Sequence, residues 1–498
     1  MKIVIGYPPL DSPKGIPFLG QNRQFQWATA PWTAYPVVPA YGATMLKKAG
    51  FEVVWLDGIA KGQTFKEWFG DFKKEKPDLL IIETKTPVVK KHWKIISKLK
   101  AKNSKLKIAL VGDHVTALPE ESLQNSPVDF VLTGGDYDFL MLNLVKHLTE
   151  GEKLEPGIWY RKKLKCKAQN AKLQLKSQSW QSTGNFKLNH NLDTLPFVDR
   201  ELTGWQLYAY KNSNYSRTPG TYTMFGRDCW WGRCSFCSWT TLYPGSCYRV
   251  MSPKRALDEI GYILENWPIK EIMDDSGSFP VGDWLKEFCE GMIKRGYNKK
   301  IKIDCNMRFN SGLTQKDYNL MAKAGFRFLL YGLESANQKT LDKINKNLKV
   351  EQIEENLKMA KKAGLWPHIT VMVGYPWETK KDALRTLNMA REFFKKGLVD
   401  TLQATLVIPY PGTPLFEECK KNGWLKTLDW DRYDMKEPVM KTPMKDEELM
   451  ELVRKIYSSF LTPQFLWRKT KEALTDWEKT KYYAWLGWKW LSKRRDFK

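Results

Sequence analysis

Cys229, Cys234 and Cys237 fall within nine residues, in the run Phe225-Gly226-Arg227-Asp228-Cys229-Trp230-Trp231-Gly232-Arg233-Cys234-Ser235-Phe236-Cys237, and no other feature constrains the chain as strongly. Three thiolates cannot close a four-ligand metal site, so whatever they hold keeps one coordination position for an outside molecule. Structural zinc takes four protein ligands, and the nearest histidines in sequence, His190 and His368, stand far from the triplet. A disulfide framework is disfavoured by eight cysteines in 498 residues and by an opening, Met1 to Pro9, that proline breaks too early for a secretory signal. An iron–sulfur cluster suits the triplet better. An aromatic, Phe236, sits inside the final Cys-x-x-Cys, and the strand-like run Thr221-Tyr222-Thr223-Met224-Phe225 precedes it.

Around the triplet, residues 216 to 425 carry six strand signals separated by helical stretches, which predicts a partial (β/α)6 TIM barrel with its active end at the strand carboxyl termini. After the cysteines come Glu271-Ile272-Met273-Asp274-Asp275 and then Ile301 to Arg308, whose alternation puts Asn306 and Arg308 on one face. Leu330-Tyr331-Gly332-Leu333-Glu334-Ser335 follows, then Ile369 to Thr379, then Ala404 to Ile408. Ahead of the barrel, residues 1 to 150 alternate strand-like runs (Ile3–Ile5, Glu52–Leu56, Leu79–Ile82, Ile108–Val111, Phe130–Leu132) with helical stretches. These short apolar runs predict a buried parallel sheet, hence an α/β, Rossmann-like doubly wound domain with ligands at the strand carboxyl ends. The loops there are Tyr7-Pro8-Pro9, Glu83-Thr84-Lys85-Thr86, Gly112-Asp113-His114-Val115-Thr116 and Thr133-Gly134-Gly135-Asp136. Residues 151 to 215, basic around Lys162 to Lys176 and rich in Gln, Asn and Ser, read as a connector that docks through Leu195-Pro196-Phe197.

The cysteine segment resembles the signature of the radical S-adenosylmethionine (SAM) enzymes, whose three cysteines hold a [4Fe-4S] cluster and leave the fourth iron to the amino and carboxylate groups of SAM. The usual first gap has three residues; here there are four, Trp230 to Arg233. The resemblance implies SAM contacts at Phe236, at Asp274 and Asp275 for the methionine amino group, and at Asn306 and Arg308, with Arg308 on the carboxylate. It adds Glu334 and Ser335 on the fourth strand, Gly374 on the fifth, which backs the adenine, and Ile408 on the sixth. With such a barrel behind it, the first domain resembles the cobalamin-binding domain that precedes these barrels. Val111 to Glu121 stands for that family's Gly-Gly-x-His-x-Thr and Pro-Glu loop, with Val111 in the first glycine's place. The implied cobalamin contacts are Pro9, Thr84, Thr86, Asp113, His114, Val115, Thr116, Gly134 and Gly135. Cobalamin mutases ligate cobalt through the histidine of Asp-x-His-x-x-Gly. Here Asp113 and His114 are adjacent with no glycine in the required place, so His114 is assigned to the corrin edge and not to cobalt. Within the class, Cys237-Ser238-Trp239 leading to Tyr248-Arg249, and Glu83-Thr84-Lys85-Thr86-Pro87, resemble hopanoid-associated enzymes, which act on lipids or other unactivated carbon skeletons.

The implied reaction is reductive cleavage of SAM to a 5′-deoxyadenosyl radical that attacks an unactivated carbon, followed by C-methylation of a lipid or other small molecule if methylcobalamin is present. Without it, the radical would form a ring, contract one or desaturate. An electron donor such as ferredoxin or flavodoxin is implied too. A net charge of +25 leaves RNA modification as a reading of another class, but the methylthiotransferases that act on tRNA carry cluster cysteines in their amino-terminal domain, and the first cysteine here is Cys166. Nucleic acid is therefore not expected as a partner. Cys166, Cys247, Cys289, Cys305 and Cys419 are scattered and read as free thiols. No apolar run approaches the roughly 18 to 20 residues that cross a bilayer, which predicts a cytoplasmic protein. Residues 426 to 498 should form a mostly helical cap, and five of the 22 tryptophans fall in the last thirty-five residues among lysines and arginines. A stripe through Leu474, Trp477, Ala484, Trp488 and Leu491 would either pack on the barrel or lie on an anionic membrane face.

Overall fold

Runs of consecutive β-branched and apolar residues become strands that are covered on both faces. In the computed structural model, which describes residues 1–18, 26–29, 32–162, 179–212, 214–475 and 480–488, the first sheet is built on β1 (Lys2–Tyr7), β2 (Glu52–Asp57), β3 (Leu79–Glu83), β4 (Lys107–Val111) and β5 (Phe130–Leu132). Their spatial order is β2-β1-β3-β4-β5, all parallel, so the order reverses between β1 and β3, the place where sheets of this kind bind ligands at their carboxyl ends. The segment expected to be a plain connector adds two antiparallel strands to this sheet, β6 (Ile158–Arg161) on β5 and β7 (Trp180–Ser182) on β6. The strand formers Ile158-Trp159-Tyr160 have an open sheet edge beside them and take it. The basic run, from residue 163 onward, and Cys166 lie outside the described residues. Leu195-Pro196-Phe197 docks on the helix Pro253–Asn266, where Arg255 donates to the Leu195 carbonyl at 2.9 Å and stacks on Phe197.

The second sheet runs in chain order through β8 (Gly220–Thr223), β9 (Glu271–Asp274), β10 (Lys302–Met307), β11 (Phe326–Glu334), β12 (Trp366–Val373) and β13 (Thr401–Leu406). Each strand is parallel to the next, with helices between, which is a half barrel. Its amino-terminal mouth is stoppered. Arg327 pairs with Glu271 and, at 2.8 Å, with Asp304, under the rings of Trp366 and Tyr482. The carboxyl ends are thus the side left for chemistry.

Beyond the barrel the chain splits into pieces with different tasks. Residues 429 to 434 return to the first domain, where Lys90 meets Asp429 at 2.8 Å, Lys14 meets Asp434, and Trp430 packs edge-on to His114. The helix Asp446–Tyr457 buries Leu449, Leu452, Val453 and Ile456 against the outer strands. In the helix Pro463–Thr475, Phe465 faces Phe394 and Lys469 reaches Asp400 at 2.6 Å, while Leu474 is 82% exposed. Leu474 and Trp488, 55% exposed, therefore do not pack on the barrel as one arm of the stripe expectation held; Trp477 and Leu491 lie outside the described residues. Among the described residues, no helix is long and apolar enough to cross a membrane.

Candidate functional site

The cysteine loop leaves the barrel through a short hairpin, Gly226–Arg227 paired with Arg249–Val250. Gly226 donates to the Ser276 hydroxyl at 2.7 Å, and Asp228 turns the chain with φ +75°. Such a turn strains a non-glycine residue, and the fold holds it by close packing: a Cβ on Gly277 would lie 2.8 Å from the Asp228 carbonyl. The hairpin is keyed to the first domain by charge. Arg227, with no exposed surface, meets Asp138 at 2.6 Å and donates to the Gly135 carbonyl at 3.0 Å. Arg249 grips Asp136 through both terminal nitrogens at 2.7 Å, and His190 sits on Asp136 and Glu155 at 3.0 and 3.1 Å. These carboxylates raise the His190 imidazole to about 9 against its own burial.

Cys234 is buried, Cys229 and Cys237 half-buried. Burial pushes the Cys234 and Cys237 thiols upward, while the positive charge of Lys346 pulls both down and that of Arg308 pulls Cys234 down. Among the described residues no three His, Cys, Asp or Glu side chains converge on a point a single ion could occupy.

A strap after the helix Gln338–Lys343 holds this loop, and sequence reasoning missed it. Ile344 accepts from the Ser235 amide at 3.0 Å, Asn345 accepts from the Trp231 indole at 2.6 Å and donates to the Arg233 carbonyl at 3.1 Å, and Asn347 accepts from Asn310 at 2.5 Å. Asn345 and Asn347 are left-handed, φ +53° and +50°, which asparagine tolerates better than other side chains. The Asn-Lys-Asn spelling is the signal that was there to find. Between them, Lys346 turns its ammonium inward to Glu334 at 2.7 Å.

Of the residues expected to hold SAM, Asp274 is committed to the fold and Arg308 is partly so. Asp274 accepts from the Thr223 hydroxyl at 3.0 Å, the Phe225 amide at 2.9 Å, and the Ser276 hydroxyl and amide at 2.5 and 3.2 Å. It holds the β9 turn and the start of the cysteine loop, with no acceptor position left for an ammonium, and burial raises it to about 6. Arg308 donates from Nε to Asn310 at 3.1 Å, from Nη1 toward the Cys234 sulfur at 3.8 Å and from Nη2 to the Lys346 carbonyl, beneath the rings of Trp230 and Trp231. It braces the loop with three of its five N–H groups. Asn306 donates to the Ser276 carbonyl at 2.8 Å, and Asp275 is buried beside Asp274. Glu334 ends β11 in a left-handed turn, φ +63°, with one carboxylate oxygen on Lys346 and the other accepting from Thr370 at 3.3 Å. Ser335 donates to Glu378 at 2.6 Å. Phe236 lies 6.0 Å from the Lys346 ammonium, Gly374 turns the chain off β12 with φ +97°, and Ile408 is buried just past β13.

At the carboxyl ends of the first sheet, the Thr84 hydroxyl pairs with His92 at 2.7 Å, and Thr116 donates to the Gly112 carbonyl at 2.7 Å while accepting from the Gly134 amide at 3.0 Å. His114 is buried with both nitrogens engaged, by Thr86 at 3.2 Å and by Glu121 at 3.1 Å, so in this arrangement it presents no nitrogen to a corrin edge either. Asp113 accepts from the His114 amide at 2.7 Å; Val115 and Pro9 are buried, Pro9 against Gly58. A Cβ on Gly112 would collide with the Thr84 carbonyl; one on Gly134 would press on Phe186, and one on Gly135 on Tyr243. Lys85, also unforeseen, is buried between Glu83 and Asp113 at 3.6 and 3.7 Å. The barrel's last loop closes over this end: a Cβ on Gly412 would touch Thr241 at 2.7 Å and Ala117 at 2.9 Å.

Residues 223–390 match the model of the radical SAM superfamily. An uncharacterized methyltransferase of Pyrococcus horikoshii is 27% identical over 484 residues, 94% of each chain. The anaerobic magnesium-protoporphyrin IX monomethyl ester cyclase of Cereibacter sphaeroides is 25% identical over 449 residues, 87% of this chain and 69% of its own. Among solved structures, the cobalamin-dependent S-adenosylmethionine radical enzyme OxsB, with aqua-cobalamin and S-adenosylmethionine bound, superposes with a TM-score of 0.67 at 15% identity, over 98% of this chain and 71% of that one. That is a likeness of fold.

Proposed function

The chain carries a radical SAM domain, and from that premise we propose that it is a cobalamin-dependent radical SAM methyltransferase acting on an unactivated carbon of a small molecule. What carries the reading is the juxtaposition of the two carboxyl-terminal faces: the cysteine loop is keyed by Arg227 to Asp138 and Gly135, at the end of β5. A ligand on the first sheet and one on the cysteine loop would thus be neighbours in a site closed to water.

Cys229, Cys234 and Cys237 would hold a [4Fe-4S] cluster, which supplies the electron that breaks a carbon–sulfur bond of SAM. Arg308, Trp230 and Trp231 shield the loop from water, and the Ile344 to Asn347 strap fixes its distance from Glu334. Cobalamin would lie along Thr84, Thr86, Asp113, Thr116, Gly134 and Gly135, where it supplies a methyl carrier. The fit is to a corrinoid gripped by its edge. Hydroxyls and backbone groups line these strand ends, the buried Lys85 ammonium has ion-pair neighbours but no hydrogen bond, and His114 has no nitrogen to spare for cobalt. The Pyrococcus horikoshii relative supports methyl transfer. A lipid as substrate draws support from the outward face of the helix Pro463–Thr475, where Leu466, Trp467 and Leu474 are exposed and Lys471 lies 4.9 Å from the Trp467 ring. The same face would give peripheral contact with an anionic membrane in the cytoplasm, and a ferredoxin or flavodoxin would deliver the electrons. A second reading, ring formation, is favoured by the similarity to the cyclase.

The test is anaerobic purification with reconstituted cluster and added cobalamin, then mass spectrometry of what SAM becomes under reduction. Deoxyadenosine with S-adenosylhomocysteine and retained cobalamin supports methyl transfer. Deoxyadenosine alone, without a bound corrinoid, moves the reading to ring chemistry.

A further inference from the structure

The proposed chemistry draws an electron through the cluster, and that electron enters from another molecule. Electron transfer weakens exponentially with distance, so a donor has to seat where the cysteines lie nearest the solvent. Most of the cysteine loop is covered. The hairpin at its base is held on the first domain by Arg227 and Arg249, the Ser235 carbonyl and amide are taken by Leu415 and Ile344, and Phe236 is buried. Among the described residues from 221 to 240, Arg233 alone is exposed. It belongs to the stretch Trp230 to Arg233, one residue longer than the usual gap, which Gly232 turns with φ +57°.

Arg233 has charge to give. Its Nε donates to the Ser246 hydroxyl at 3.2 Å and its guanidinium lies 5.3 Å from the Trp231 ring, but among the described residues it has no ion pair. From Cys229 to Leu257 the sequence holds no Asp or Glu, so nothing in the loop neutralises it. The strap beside it alternates, with Ile344, Lys346 and Leu348 buried and Asn345, Asn347 and Lys349 exposed. Asn345 bonds to Trp231 and Arg233, which sets this exposed row against the loop tip, and Lys349 at its end has no ion pair among the described residues either. Behind the tip the path is short. Arg308 lies 5.7 Å from the centre of the half-exposed Trp231 ring and reaches the Cys234 sulfur at 3.8 Å, so a donor on the tip stands one indole and one guanidinium from a cluster ligand.

Resting on the proposed function, we propose that Trp231 and Arg233, with Lys349 beside them, form the docking face for an acidic one-electron carrier protein. Unpaired cations around a half-exposed ring are complementary to such a surface and steer it to the loop. One electron leaves the carrier's reduced centre, which is oxidised by one, and enters the oxidised cluster, which is reduced by one; no bond forms or breaks in the chain.

The experiment runs this transfer in reverse, in a stopped flow, from dithionite-reduced and desalted full-length chain to oxidised flavodoxin, an acidic carrier. Iron and sulfide content are measured first for each variant. The flavin gains the electron and a solvent proton, and the long-wavelength absorbance of its neutral semiquinone reports the rate; benzyl viologen, a cationic acceptor, is the control. At low ionic strength Arg233→Glu should slow transfer to flavodoxin about 10-fold and Arg233→Glu/Lys349→Glu about 100-fold, both converging on wild type in high salt, with transfer to benzyl viologen no slower. Lys349→Glu alone, outside the cysteine loop, reads the same contrast should Arg233→Glu not hold its cluster. Unchanged flavodoxin rates in all three variants would overturn the proposal, as would equal slowing with both acceptors. Unchanged rates together with sedimentation on phosphatidylglycerol vesicles that Arg233→Glu abolishes would give the face to a membrane instead. A wild-type chain that takes up no iron and sulfide would remove the functional reading and the docking face with it.

Discussion

Arg227 and Asp138 form a buried charge pair whose two halves should fail differently. Both side chains are fully buried, 2.6 Å apart, and burial already pushes the Asp138 carboxyl above its ordinary value against the pull of Arg227. In Arg227→Met the carboxyl can take up a proton and go neutral, whereas in Asp138→Asn the guanidinium cannot discharge. Asp138→Asn leaves Arg227 with the Gly135 carbonyl at 3.0 Å and Asp136 at 3.8 Å, which places it near the lower end of the range for a broken buried pair, about 3 kcal/mol. Arg227→Met should cost about 2 kcal/mol at pH 6, from the lost hydrogen bonds and packing. That cost should then grow by up to about 1.4 kcal/mol per pH unit. The sign follows from linkage: a carboxyl with a raised folded value keeps a proton that the unfolded chain has released, so stability falls as pH rises. Urea unfolding at pH 6, 7 and 8, followed by tryptophan fluorescence, measures both variants. A loss in Arg227→Met that is flat or shrinking toward pH 8 would refute the reasoning. The double variant Arg227→Met/Asp138→Leu should recover most of the loss and lose the pH slope.

Replacing any one of Cys229, Cys234 and Cys237 by alanine should abolish the absorption near 400 nm and the iron content of the reconstituted chain, while Cys289→Ala, deep in a helix of the barrel, should leave both intact. His114→Ala should cost about 2 to 4 kcal/mol, because the ring bridges Thr86 and Glu121 between Trp93 and Trp430, yet leave the visible spectrum of added cobalamin unchanged; a spectral shift would make the imidazole a cobalt ligand after all. Trp467→Glu together with Leu474→Glu should abolish sedimentation with vesicles of phosphatidylglycerol and leave unfolding within about 0.5 kcal/mol of wild type, since Trp467 is 64% and Leu474 82% exposed.

What was legible in the sequence follows the range over which each signal acts. Strands such as Leu79–Glu83 and Lys302–Met307 announce themselves because apolar or alternating runs depend on near neighbours, and the cysteine triplet is local by nature. The edge strands Ile158–Arg161 and Trp180–Ser182 are short, and the run between them masks their pairing. Asp274 and Arg308 read as ligand groups because carboxylates and guanidinium groups at strand ends often are. Their partners within the fold, the Ser276 hydroxyl and the Lys346 carbonyl among them, come from turns whose conformation no periodicity encodes. Lys346 itself lies twelve positions beyond Glu334, and only the left-handed turns at Asn345 and Asn347 bring it back beneath the strand. The contact of Trp430 with His114 joins positions more than three hundred residues apart and carries no signal in a single sequence.

At the centre of the proposed chemistry are three thiolates that would leave one iron open to SAM. Electron–nuclear double resonance on the reduced, cluster-loaded chain, with SAM carrying 17O in its carboxylate and 15N in its amino group, tests this directly. The prediction is resolved coupling of both nuclei to the cluster in the wild type, and no cluster signal in Cys234→Ala. A reduced cluster whose spectrum is unchanged by saturating labelled SAM would contradict it.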